Sequence, residues 1–278
     1  MGLSSYQSFA DVSDEAKLKR AQYRADRKER KHDLVELHHT VVTSERKISP
    51  SFEIGFKARR LFPNGEWVYL PEEFGRILKA LEEFVDNPNR FPALSAWAGV
   101  AVNNIQCRRL IAKVLACILP STDLIGGRVG QPTEAGMKPI SYNQLQEDYA
   151  LRWGEFISPK SFGKVIRYLK RAGYYSSERI NVCVDSSEGA VRSAPAYKQF
   201  TERFFSDLKV VRFKNIAESI IDTRARSEKK GLRFYWMDYR TIASGIQEVF
   251  NAQTLNRFAE TTARMFQLKQ LPATLQPG

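Results

Sequence analysis

Lys160, Lys164, Arg167 and Arg171 are spaced four, three and four residues apart, so in an α-helix they share one stripe. Four aligned cations can pair with a row of phosphate oxygens or, near the helix start, hydrogen-bond to base edges. Phe162, Val165, Ile166 and Leu169 fall at i, i+3, i+4 and i+7 on the other side, the pattern of a helix docked on a core by one face. The run SPKSFGKVIRYLKRAG at 158–173 contains no acid. Ser158 suits the N-cap, Pro159 the first helical position and Gly173 the C′ stop. The competing reading is a solvated amphipathic surface helix, which has the same period.

The neighbouring segments are those that must position this helix. Ile105–Leu119 is apolar and stops at Pro120, as a helix should. Ser141–Trp153 begins on a good cap, continues with Leu145, Tyr149 and Leu151, and breaks at Gly154. Glu155–Ile157 then forms a short connection into the basic helix, which is the helix-turn-helix arrangement. Downstream, Ile180, Val182 and Val184 alternate with Asn181 and Cys183, a strand signal. Ser186–Gly189 is turn chemistry, and Ala190–Ser193 reads as a short return strand carrying Arg192. Ala196–Leu208 is predicted helical, with Tyr197, Phe200, Phe204 and Leu208 on one face. The order helix, helix, turn, basic helix, hairpin is that of a winged helix. It predicts Ser158, Lys160 and Ser161 at base edges, with Lys164 beside them over the major groove. Arg167 and Arg171 then meet phosphates, and the wing brings Arg192 and Lys198 to the backbone or minor groove.

Charge agrees with an anionic partner. Of 278 residues, Lys and Arg number 43 against 31 Asp and Glu, a net charge of +12, which favours electrostatic association. No apolar run approaches the ~18 residues of a membrane span, and the N-terminus has no signal-peptide core. Cys107, Cys117 and Cys183 show no CxxC spacing and read as reduced cysteines of a cytoplasmic protein, with neither zinc nor a disulfide framework implied. The phosphate-loop pattern GxxxxGK[ST] and the dinucleotide pattern GxGxxG are both absent. His32, His38 and His39 are the sole histidines. Adjacent helical histidines diverge by about 100° and do not share one metal easily. The expectation is therefore a binding protein without a catalytic site, a metal or another cofactor.

The fold class expected is mainly α with small β-hairpins (α+β), a winged helix-turn-helix core carrying additional N- and C-terminal helices. Residues 1–39 read as a basic, largely mobile arm. Lys17 to Lys31 holds eight cations against Asp26 and Glu29, without a continuous apolar face. Either Arg24, Arg27 and Lys28 follow a DNA backbone or the arm is a solvated extension. Residues 40–208 form the folded body, including a hairpin with Pro63, Asn64 and Gly65 at its turn and an amphipathic helix over 71–86. The winged helix occupies about 105–208. Residues 209–278 comprise a basic connector and a C-terminal helical region over 241–268. Arg224, Arg226, Lys229 and Lys230 of the connector are further candidate backbone contacts. Phe234, Tyr235, Trp236 and Tyr239 beside them either stack on exposed bases or belong to the core.

The runs SFGKVIRYLKRAGYYSSERI and GAVRSAPAYKQFTERFFSDL resemble the winged-helix region of plasmid replication initiators of the RepA type. The resemblance covers about a third of the chain. It implies binding to a plasmid origin as double-stranded DNA, local opening of the duplex and recruitment of host replication proteins. Two other functions use the same residues: a winged-helix transcriptional regulator, with an effector pocket or a dimer helix, and a basic RNA- or protein-binding protein.

Overall fold

The computed structural model describes residues 7–185, 190–249 and 251. It is mainly helical, with small antiparallel two-stranded sheets. Helix α1 (Gln7–Ile48) is continuous over 42 residues. Its Ala, Lys, Arg, Glu and Gln content favours helix without any apolar stripe. From Lys31 onward it gains a docked face. Leu34, His38 and Val42 are buried and join Phe52, Ile54, Leu61, Ala150 and Leu151 in a small core. The expectation of a largely mobile arm over 1–39 is thus replaced from Gln7 onward by helix, with its last third packed on the body.

Strands β1 (Arg59–Leu61) and β2 (Trp67–Tyr69) pair antiparallel around the Pro63-Asn64-Gly65 turn. Helix α2 (Glu73–Asp86) buries Phe74, Ile77, Leu78, Leu81 and Phe84. The short helices α3 (Pro92–Ala98) and α4 (Val100–Asn103) lead into α5 (Ile105–Ile118). Hairpin β3 (Gly130–Thr133) and β4 (Gly136–Pro139) precedes α6 (Tyr142–Trp153) and α7 (Pro159–Arg171). The main core gathers Ile111 and Leu115 of α5, Leu145 and Tyr149 of α6, and Phe162, Val165 and Leu169 of α7. Tyr174, Phe200 and Phe204 close it from the hairpin side, and Phe200 stacks on Phe204 at 4.4 Å between ring centroids.

Strands β5 (Tyr175–Asp185) and β6 (Ala190–Phe200) form a hairpin of 11 residues per strand, its register shifted opposite Pro195 between Glu178 and Ile180. The helix expected over Ala196–Leu208 is therefore strand as far as Phe200, and α8 spans only Glu202–Leu208. The backbone of 198–200 has partners on both sides. Val129 N–H donates to Lys198 O at 2.8 Å and Phe200 N–H to Gly127 O at 2.8 Å, while Tyr175 pairs with Phe200 in β5. Gly127 has φ +73°, and a Cβ there would lie 2.2 Å from Phe200 O, so only glycine permits this close approach.

Helix α9 (Lys214–Lys229) absorbs most of the segment expected to be a connector. Residues 233–237 then lie along the β3–β4 hairpin, with Arg233 N–H bonded to Thr133 O at 2.9 Å and Met237 N–H to Met137 O at 3.1 Å. The aromatic cluster divides. Trp236 meets Tyr197 at 4.9 Å between ring centroids, whereas Tyr235 and Tyr239 stay exposed. A last helix, α10, covers 239–249, and its Ile242 and Ile246 pack on Ile180 and Val182 of β5. The rest of the helix expected over 241–268 lies outside the described residues, apart from Asn251. No helix among the described residues is long and apolar enough to cross a membrane.

Candidate nucleic-acid interface

Helix α7 is fixed at both ends by its own sequence. The Ser158 hydroxyl accepts the Ser161 N–H at 3.0 Å, with Pro159 in the first turn. Gly173 has positive φ, and its N–H is bonded to Lys170 O at 3.0 Å. Phe162, Val165, Ile166 and Leu169 are buried, which leaves Lys160, Lys164, Arg167 and Arg171 exposed on the outer side. Among the described residues none of these four pairs with a carboxylate. Some cations elsewhere are matched, among them Arg60 with Asp148, Arg90 with Glu83 and Lys113 with Glu155. Lys164 Nζ lies 5.7 Å from the Tyr168 ring centroid. The Ser158 hydroxyl donates to Ser161 Oγ at 2.9 Å, so the cap itself consumes Ser158, and only the Ser161 proton remains to point outward.

The other expected contacts are distributed differently. Arg192 sits in β6 opposite Val182, and the turn at 186–189 lies outside the described residues. Lys198, expected on the outside, is 1 % exposed. Its Nζ donates to Ile140 O at 2.5 Å and Ala196 O at 2.9 Å, beneath the Tyr142 ring. Burial lowers its pKa to about 8. Lys198 therefore ties β6 to the β4–α6 junction and cannot reach a phosphate. Arg224 is likewise structural: it pairs with the buried Asp123 at 3.3 Å and with Glu228 at 3.0 Å, and lies over the Phe234 ring. Arg226 is exposed and bonded to Thr223 on its own helix, and Lys229 and Lys230 are exposed. Arg24 and Lys28 are exposed on α1, and Arg27 is braced by the Tyr23 hydroxyl and ring.

Sequence reasoning did not anticipate what holds the α6–α7 turn. His38 Nδ1 lies 2.7 Å from Leu151 O, His39 Nε2 lies 3.0 Å from Gly154 O, and the His32 ring stacks flat on Phe156 at 5.3 Å. Burial pushes the His38 pKa down, consistent with a neutral ring donating from Nδ1. Lys31 Nζ, also buried, donates to Gln146 Oε1 at 2.6 Å. All three histidines thus clamp α1 to the segment that aims α7. The available signal was the 31, 34, 38, 42 spacing, disguised because two of the four residues are polar. Among the described residues no group of three or more His, Cys, Asp or Glu is placed to hold a metal ion.

No family model, curated protein or solved structure matches the chain.

Proposed function

We propose that the protein is a cytoplasmic, sequence-specific binder of double-stranded DNA that reads its site with α7 as the recognition helix of a winged helix. The observation that carries this reading is the row Lys160, Lys164, Arg167 and Arg171: exposed, matched by no described carboxylate, and held from behind by four buried apolar residues. From Lys160 to Arg171 the row runs about 16 Å along the axis, long enough to cross a major groove about 12 Å wide. The surrounding order supports the same reading. Helix α5, the strand-like 127–130, α6, α7 and the β5–β6 hairpin follow one another as in a winged helix, with 127–129 bonded to the outer edge of β6. In this reading Lys160 and Ser161 reach base edges, and Arg167 and Arg171 take phosphates. Helix α10 covers the face of the hairpin that carries Ile180 and Val182, so a partner meets the hairpin elsewhere.

The resemblance to RepA-type plasmid initiators supports the narrower role of origin binding, with host replication proteins as further partners. A transcriptional regulator built on the same reader is the second reading, and one observation favours it. A cavity of about 180 Å³ lies between α2, α9 and the β3–β4 hairpin, lined by Phe74, Met137, Ile220 and Phe234 with the Glu73 carboxylate. Selection from a pool of random duplexes tests the common claim and should return one enriched motif. Against that motif, Lys164→Ala and Arg167→Ala should each weaken binding without lowering thermal stability. Each lost phosphate contact should reduce the salt slope of the affinity by about 0.9. Unchanged affinity in both variants would overturn the assignment of α7 as reader.

A further inference from the structure

The face by which α1 docks on the body does not end where the body ends. Lys31, Leu34, His38 and Val42 mark that face by their burial. At about 100° per residue, positions 17, 24, 27 and 28 fall within about 75° of the same direction. All four are cations: Lys17, Arg24, Arg27 and Lys28. Asp26, Glu29, Asp33 and Glu36 fall on the opposite side by the same count. One surface of α1 is therefore buried against α6 over its C-terminal third and basic further back, where Arg24 and Lys28 are exposed.

The clamp that seats α1 also lies beside the start of α7. His32 stacks on Phe156, two residues before the Ser158 cap. Lys28 is one turn back from His32 and Arg24 two turns back, about 6 and 12 Å along the α1 axis. Lys160 stands just beyond the same turn on α7. Helix α1 thus touches the chain at Gly154 and Phe156, just before the basic row of α7 begins. Their relative register is held by the Lys31–Gln146 bond and the His38 and His39 contacts.

We propose that Arg24, Arg27 and Lys28 form a second phosphate-binding surface, which follows the duplex backbone flanking the site read by α7. The inference rests on the DNA-binding reading of α7 and adds a longer footprint to it. The guanidinium and ammonium groups donate to non-bridging phosphate oxygens. Because α1 is already helical and docked, little ordering is required on binding.

The test compares three proteins on a labelled duplex of about 40 base pairs, over a salt series that counts phosphate contacts. They are the wild type, the double variant Arg24→Gln/Lys28→Gln, and the control Lys47→Gln/Lys79→Gln, which removes the same charge from exposed positions off the stripe. Affinity is then remeasured while the duplex is shortened from each end. The stripe variant should lower the salt slope by about 2 and lose its dependence on duplex length on one side, while the control keeps both. Equal slopes for the stripe variant and the wild type, with Lys164→Ala still impaired, would overturn this inference and leave the α7 reading standing. Failure of the wild type to bind any duplex would overturn both.

Discussion

Replacing Gly154 with alanine isolates the contact that joins α1 to the helix-turn-helix. Gly154 is the left-handed C-cap of α6, at φ 60° and ψ 31°. A Cβ there would stand 2.5 Å from His38 Cδ2 and 2.9 Å from His39 Cε1, against an ordinary separation of about 3.5–4.0 Å. The left-handed backbone alone costs an alanine about 1–2 kcal/mol. Relieving the overlap moves the His38 ring back by about 1 Å, which takes Nδ1 out of reach of Leu151 O, now 2.7 Å away. Loss of that buried bond adds about 1 kcal/mol. Gly173 supplies the control: it ends α7 at φ +70°, and a Cβ there would meet only the tip of Arg203, at 3.7 Å. Urea denaturation should therefore give a loss of about 1–2 kcal/mol for Gly173→Ala and about 2–3 kcal/mol for Gly154→Ala. In a His38→Ala background the excess at Gly154 should shrink, because the ring that obstructs the new methyl is gone. Equal losses at the two glycines, or an excess that survives His38→Ala, would refute the seating of α1 on this turn.

Two predictions concern pH. His38 has a pKa lowered by burial, opposed by the Leu151 carbonyl and Glu155 and assisted by His39 and Arg46. The unfolded chain then takes up a proton first, so the stability present above about pH 6.5 declines as pH falls through that value. His38→Asn, which can still donate to Leu151 O, should flatten the decline in urea midpoints; an unaltered profile would contradict the assignment. For Lys198, with its pKa at about 8, the sign is the same but the window lies higher. The native state releases its proton near pH 8 and the unfolded chain near 10.5, so stability rises across that interval by about 3 kcal/mol. Lys198→Met should remove this rise relative to the wild type, and parallel profiles for the two proteins would show the amine to be solvated.

What was legible in the sequence follows from how local its causes are. Helix α7 is set by Ser158, Pro159, Gly173 and its own apolar spacing. Helix α6 starts on a capping box in which Ser141 and Gln144 satisfy each other's backbone N–H groups. The Ser158–Ser161 and Ser141–Gln144 caps each join residues three apart, and the apolar spacing lies within one helix, so the chain reads correctly here without its fold. Residues 196–200 carry a helical period through Phe200, Phe204 and Leu208, yet pairing with Tyr175–Glu178 of β5 on one side and with 127–129, some 70 positions away in the chain, on the other makes them strand. Lys198 looked like a surface cation because carbonyls from Ile140 and Ala196 are invisible in a linear pattern. Arg224 looked like a mobile contact because its partner, Asp123, comes from a loop 101 residues earlier. The three histidines were counted as non-catalytic, but their carbonyl and ring partners on the α6–α7 turn belong to the tertiary structure.

The length of α1 turns its anchor into a lever. About 36 Å of helix lies between Gln7 and Lys31 at 1.5 Å per residue, all of it on one side of the histidine clamp. A rotation of 10° about that clamp sweeps the far end through about 6 Å, close to two base-pair rises of a duplex. Small changes in how His38 and His39 seat on Leu151 and Gly154 are thereby multiplied into large displacements of the arm. The precision with which the arm can be aimed is set at a junction of a few atoms, about 21 Å along the axis from Arg24.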